Sequence, residues 1–217
     1  MLEKSLAILF ALLILATLIN RFLVWRLPER KGDEVTLRIR TWWGIVICFS
    51  LVISGPRWMT LTFFALISFL ALKEYCTLIS VHFPRWLYWV IPLNYLLIGF
   101  NCFELFLLFI PLAGFLILAT WRVFVGDPSG FLHTVSAIFC GWIMTVFTLS
   151  HAAWLLMLPT INIQGGALLV LFLLALTESN DIAQYLWGKS CGRRKVVPKV
   201  SPGKTLEGLV GGVITTM

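Results

Sequence analysis

Seven apolar runs, parted by short polar or basic segments, leave this chain few ways to fold. They are Ser5 to Trp25, Trp42 to Ser54, Trp58 to Leu72, Trp86 to Phe100, Phe103 to Trp121, Phe131 to Leu158, and Gly166 to about Gly188. An eighth begins near Thr205 and reaches Met217. A helix that crosses a bilayer needs about 20 mostly apolar residues. The chain is 59% hydrophobic and only 12% charged, whereas a soluble domain carries roughly 25% charged residues. One water-soluble core cannot absorb that excess. The expected fold is all-α: a polytopic integral membrane bundle of about seven complete spans plus the start of an eighth, in a single transmembrane domain over residues 1–217.

Charge sets the topology. The second and third runs are short and are separated by Gly55-Pro56-Arg57, so they form either one kinked span or a tight hairpin of two. With two spans, every Lys and Arg except Lys4 and Arg57 falls on one side of the membrane, with Arg21 snorkelling to it. With one span the asymmetry collapses. The excess of cations on the cytoplasmic side therefore favours two spans, an outside N-terminus and a cytoplasmic Lys189–Lys204 loop. The net charge of +7 is accounted for by topology and by anionic headgroups, and no nucleic-acid partner is expected. The N-terminal run lacks a basic leader and a small-residue cleavage site and reads as an uncleaved first span. The five cysteines show no C-x-x-C spacing and read as small buried hydrophobes.

The chemistry gathers after the seventh run. Thr177-Glu178-Ser179-Asn180-Asp181 follows the apolar body without a helix breaker, so the helix is expected to continue to Gly188. Glu178, Asp181, Tyr185 and Gly188 then share one face. An ionisable residue in a spanning helix is costly and points to function. The loop beyond supplies Lys189, Arg193, Arg194, Lys195, Lys199 and Lys204, six cations in sixteen residues. Gly192, Pro198, Pro202 and Gly203 prevent regular helix throughout it. Ser201 and Thr205 add hydroxyls, and either suits the cap of a new helix. Gly203 lets backbone amides approach an oxyanion at that helix's N-terminus. Together these features suggest an anionic substrate with a divalent cation. The plainer alternatives are an interfacial carboxylate paired with a lysine and a basic topological loop.

Other candidates are weaker. Gly203-Lys204-Thr205 resembles the end of a nucleotide-binding P-loop, but the first glycine position holds Pro198, and a helix rather than a strand precedes it. His82, His133 and His151 lack ligand spacing and read as packing or interface residues. Glu74-Tyr75 reads as an anchor, and Glu104 as solvated.

The stretch Asp181, Ala183-Gln184-Tyr185, Gly188 to Gly192 and Ser201-Pro202-Gly203-Lys204-Thr205-Leu206-Glu207-Gly208 resembles the CDP-diglyceride synthases (phosphatidate cytidylyltransferases). It is most similar to divergent enterobacterial members. The match covers about thirty residues. It departs from the family at Gly203, where a lysine is frequent, and in reading D-I-A-Q-Y for D-x-G-A-Y. The resemblance implies transfer of a cytidylyl group from CTP to phosphatidate in a bacterial inner membrane. It implies Mg²⁺ at Asp181 with Asn180 in support, and phosphate contacts from Lys204, Ser201 and Thr205. Glu207 would orient Lys204 or Thr205, and Lys189, Arg193 and Arg194 would attract CTP or the lipid headgroup. Asp181 and Lys204 would be the catalytic pair. The family's second carboxylate cluster lies further toward the C-terminus than Met217, so the chain reads as an N-terminal part of a longer family domain, and its activity alone is not implied. A CTP-dependent lipid kinase and a non-catalytic binder or transporter of anionic lipid remain the alternatives, and a homodimer is left open.

Overall fold

The computed structural model describes residues 2–26, 34–79, 83–126, 130–158 and 163–217, and is helical nearly throughout. His82, Arg30 and Lys31 lie outside the described residues. The chain divides into two compact units, Met1–Ala167 and Leu168–Met217.

The first unit opens with α1 (Leu2–Arg26) and α2 (Glu34–Ser54). Ile8, Leu12, Leu15, Leu18, Ile19 and Phe22 of α1 are all exposed. A helix apolar on most sides is suited to lipid. Trp43 donates to the Thr17 hydroxyl at 3.0 Å and Asn20 to Thr36 at 3.1 Å, which fixes α1 antiparallel to α2. Pro56 then starts α3 (Arg57–Leu78), so the chain turns within Gly55-Pro56. The hairpin of two spans expected from charge is what forms. Thr60 closes it by donating to the Val52 carbonyl at 2.9 Å.

Helix α3 is the centre of this unit. It packs on α4 (Val90–Gly99), α7 (Phe131–Trp142) and α8 (Thr148–Leu155). Ser68 and Tyr95 share a buried hydroxyl–hydroxyl bond of 2.8 Å, and Tyr75 donates to the Ala137 carbonyl at 2.9 Å. The fully buried side chains Leu72, Ile98, Phe106, Ile110, Leu118, Ile138 and Val146 form the core.

Three runs depart from regular α-helix, each for a local reason. The Trp86-to-Phe100 run begins as a 3-10 segment, Arg85–Trp89, before α4. Pro92 has no N–H to offer the Tyr88 carbonyl, and its ring crowds that position. This stretch rises only about 25 Å, short of the ~30 Å hydrocarbon layer. Six helices, rather than the expected seven, are long and apolar enough to cross a membrane among the described residues. Asn101, at φ 59°, makes the tight turn into α5 (Phe103–Leu108). Pro111 then falls within a π-helical segment, Phe109–Gly114, before α6 (Phe115–Val125). The wider turn relieves the clash of the proline ring with the carbonyl four residues back. A second π segment, Ile143–Phe147, joins α7 to α8. There the Thr148 side-chain hydroxyl donates to the Ile143 carbonyl five residues back, at 2.8 Å, alongside the Thr148 amide.

The second unit takes the body of α9 (Ile163–Cys191), a small antiparallel hairpin of β1 (Lys195–Val197) and β2 (Ser201–Thr205), and α10 (Leu206–Thr216). Lys195 pairs with Thr205 and Val197 with Ser201, with a bulge between. The hairpin lies in the loop where Gly and Pro were expected to prevent regular helix, and the framework is the expected all-α bundle. Val197-Pro198-Lys199-Val200 is a β-turn closed by the Val200 amide on the Val197 carbonyl at 3.1 Å, and proline favours its second position. Pro202 is tolerated because a two-stranded ribbon has open edges and this one bulges. The chain is a multi-pass membrane protein whose framework is helical.

Candidate functional site

Helix α9 runs three residues beyond the expected end at Gly188. It carries Asp181, Gln184, Tyr185 and Lys189 at spacings that bring them along one side. Lys189 Nζ lies 3.3 Å from the Tyr185 hydroxyl and 5.5 Å from the centre of its ring. Asp181 is exposed.

The hairpin returns Lys204 to this helix, where Nζ donates to Gln184 Oε1 at 3.4 Å. Gln184 is one helical turn from Asp181, so the structure brings Lys204 to the turn that holds Asp181. Ser201 is half-buried at the start of β2.

Thr205 is the cap of α10. Its extended backbone (φ −119°, ψ 153°) lets Oγ1 accept from the Gly208 amide at 3.2 Å. Its side chain is buried. A Cβ added at Gly188 would lie 3.2 Å from that oxygen, and one at Gly192 only 2.7 Å. The two glycines of the G-x-x-x-G stretch thus make room for the cap.

Glu207 reaches the other way. Its carboxylate accepts from the Arg193 amide at 3.0 Å and from the Arg194 amide at 3.1 and 3.2 Å. The Leu206 amide donates to the Arg194 carbonyl at 2.8 Å. Glu207 therefore fixes the main chain of the Arg193-Arg194 turn rather than the side chains of Lys204 or Thr205, while both arginine side chains stay exposed. The Arg193 amide, its own amide and the Arg194 amide hold its carboxyl below the usual glutamate value. The first amides of α10 are thus committed within the chain: Leu206 to Arg194, Gly208 to Thr205. This differs from the expectation that they face an oxyanion.

Asn180 Oδ1 is buried without a hydrogen bond among the described residues, close to Gly212, where an added Cβ would sit 2.9 Å from it. It faces α10. Sequence reasoning named Gln184 and Gly208 only within the family-like motif, and gave no role to them or to Trp187, Gly211 and Gly212. Trp187 Nε1 donates to Thr215 at 3.0 Å. Gly208 comes so near α9 that an added Cβ would be 2.7 Å from the Gln184 carbonyl and 3.1 Å from the Gly188 Cα. The signal was available: Gly208 and Gly212 form a second G-x-x-x-G, a pattern that lets apolar helices approach closely.

Among the described residues no three His, Cys, Asp or Glu side chains gather as a metal site. Asp181 supplies one accessible carboxylate. That number suits Mg²⁺, which is commonly held by one or two carboxylates together with substrate phosphates.

Comparison with known proteins meets this picture. An Escherichia coli K12 protein, "Uncharacterized protein YnbB", is 94% identical over 217 residues, which is all of this chain and 73% of that protein. A phosphatidate cytidylyltransferase of Haemophilus influenzae is 44% identical over 52 residues, 24% of this chain and 18% of the relative. One of Bacillus subtilis is 32% identical over 114 residues, 50% of this chain and 38% of the relative. The chain thus spans well under half of the length of these two enzymes. No solved structure matches it. The sequence model of the cytidylyltransferase family matches residues 36–217, taking in five of the six long apolar helices as well as the hairpin and α10, and on that extent the chain belongs to the cytidylyltransferase family.

Proposed function

We propose that the chain contributes to transfer of a cytidylyl group from CTP to phosphatidate, giving CDP-diacylglycerol and pyrophosphate. The observation that carries this reading is the bond from Lys204 to Gln184, one helical turn from Asp181. It places a cation from the family-like hairpin on the membrane helix one turn from the accessible Asp181 carboxylate. The names of the Haemophilus and Bacillus relatives support phosphatidate as the lipid.

In the proposed step a phosphate oxygen of phosphatidate bonds to the α-phosphorus of CTP. The bond from that phosphorus to the bridging oxygen of the β-phosphate breaks, and pyrophosphate leaves with the electron pair. Such transfers depend on positioning and on neutralising charge. Lys204 and Ser201 would contact the phosphates, with the Thr205 hydroxyl behind them as the cap that sets β2. Lys189, Arg193 and Arg194 would draw in the anionic reactants. Asn180 would hold α9 against α10 beside Asp181. Mg²⁺, held by Asp181 and substrate phosphates, would neutralise negative charge at the reacting phosphates. The charge asymmetry of the loops supports a hairpin on the cytoplasmic side of a bacterial inner membrane, where CTP is available.

The test is phosphatidate-dependent formation of CDP-lipid from α-labelled CTP in membranes holding the chain, alone and with the remaining C-terminal part of its longer relative supplied. Asp181→Asn is expected to lower the rate about 100-fold, the scale of losing one preorganised electrostatic group. An unchanged rate in Asp181→Asn would remove that residue from the site. Label reaching lipid from the γ-position of CTP would replace the reading with a lipid kinase.

A further inference from the structure

We propose that the β1–β2 hairpin is an interfacial anchor, which lays its turn against the anionic headgroups of the leaflet at the C-terminal end of α9. The inference starts from length. The 29 residues of α9 rise about 43 Å. The hydrocarbon layer is ~30 Å thick and the bilayer with headgroups about 40–45 Å. The last turns of α9 therefore lie at headgroup depth. Their side chains agree: Ile182, Leu186 and Trp187 are exposed, and exposed tryptophan is characteristic of the interface.

Strand β1 begins four residues after Cys191. Even fully extended, that connection reaches only about 14 Å. The hairpin cannot leave the vicinity of the headgroups. Its surface is unusual for a ribbon in water. Val196 is 44% exposed, Val197 45% and Val200, at the end of the turn, 85%. Lys195 and Lys199 are exposed among them, and Arg193 and Arg194 precede them. Apolar side chains interleaved with cations suit the acyl–headgroup boundary, where valines enter the apolar edge and lysines meet lipid phosphates.

The presentation is also fixed. Glu207 holds the base of the hairpin through the Arg193 and Arg194 amides, Leu206 ties α10 to Arg194, and Val200 closes the turn. The valines are thus held outward on a short ribbon rather than on a free loop. They have no part in the proposed reaction, and the anchor stands whether or not that reaction is correct.

The test needs no CTP. The chain is placed in nanodiscs of neutral phosphatidylcholine or of phosphatidylcholine with phosphatidylglycerol. Amide hydrogen exchange is followed over residues 195–204. Several-fold slower exchange in the anionic discs, lost in Lys195→Gln/Lys199→Gln, is the expected result. Equal exchange in both lipids overturns the proposal. A fluorophore on Val200→Cys, with the five native cysteines replaced by serine, gives a second readout. It should be quenched by lipid-borne groups in the anionic discs, and quenching only by aqueous iodide overturns the proposal. Protection that follows the number of chains per disc, whatever the lipid, would make a second copy the occupant and likewise overturn it.

Discussion

The two units hold themselves together in different ways. In residues 1–167 many hydroxyls bond back to their own helix, as Thr17 does to Leu13 and Ser50 to Val46. Side-chain bonds from Asn20, Trp43, Thr60, Ser68 and Tyr75 cross between helices, spread over the whole unit. Packing there rests on broad apolar faces and ring contacts, such as Phe49 against Phe63 and Phe64. In residues 168–217 several polar atoms bridge separate elements, as Glu207, Lys204 and Trp187 do. The helices there meet at glycines. Lipid offers no hydrophobic drive for helix association, so close van der Waals fit and a few interhelical bonds must supply it. The second unit concentrates both in fewer residues and should be more easily broken by a small change.

Gly208→Ala is the largest expected break. The added methyl would meet the Gln184 carbonyl and the Gly188 Cα, which are main-chain atoms of α9 and cannot turn aside. Overpacking of this kind costs about 1–3 kcal/mol, more than the ~1 kcal/mol that alanine returns in helix propensity. Exchange over residues 206–216 should accelerate in detergent or nanodiscs while α3 is unaffected. Gly212→Ala should cost less, because the Gln184 Cγ and Asn180 Oδ1 it meets belong to side chains. Equal effects at the two glycines would show that the close approach is not what holds α10.

A smaller effect is expected at Glu207. Its carboxyl is held below the ordinary glutamate value chiefly by the Arg193 amide. A carboxyl shifted down contributes its stabilisation fully above its unfolded value and loses it as pH falls through the lower folded one. The Arg193 and Arg194 amide resonances should therefore titrate together, with a midpoint below that of a free glutamate. Glu207→Gln should abolish the titration but keep part of the amide protection, since one oxygen still accepts. Glu207→Ala should lose both. Amides that do not titrate would mean the clasp does not form in solution.

These two residues also mark what could be read from the chain alone. The spans follow from apolar length, and the α2–α3 hairpin from the placement of Lys and Arg. The cap of α10 was narrowed to Ser201 or Thr205 by their position before an apolar run, and the structure takes Thr205. The clasp was not legible, because sequence displays the charges of Arg193 and Arg194 but not which main-chain amides lack partners. Glu207 meets those amides thirteen and fourteen residues away, after the chain has turned through a ribbon too short to show a strand period. The 3-10 start of α4 was legible in principle at Pro92, yet a hydropathy run does not register a proline that shortens a helix. The contact of Lys204 with Gln184 needed the hairpin, since the motif around Gln184 does not say which residue of the loop returns to it.

The smallest effect lies in the first unit and has the opposite sign. Gly44 is interior to α2, and a Cβ built on it meets nothing within 4 Å. It is exposed, so a methyl there would face lipid rather than protein. With no steric term, only the conformational one remains. Glycine costs a helix about 1 kcal/mol relative to alanine, because its backbone has more freedom to lose. Gly44→Ala should therefore slow exchange over residues 34–54 by a few-fold and leave residues 206–216 unchanged. The same substitution would stabilise one unit and destabilise the other, which separates glycine as a contact surface in α10 from glycine as mere flexibility in α2. Faster exchange in α2 would mean that this face of Gly44 is covered in the membrane, by a partner chain or by another part of the protein, and that the contrast between the two units is weaker than their internal packing indicates.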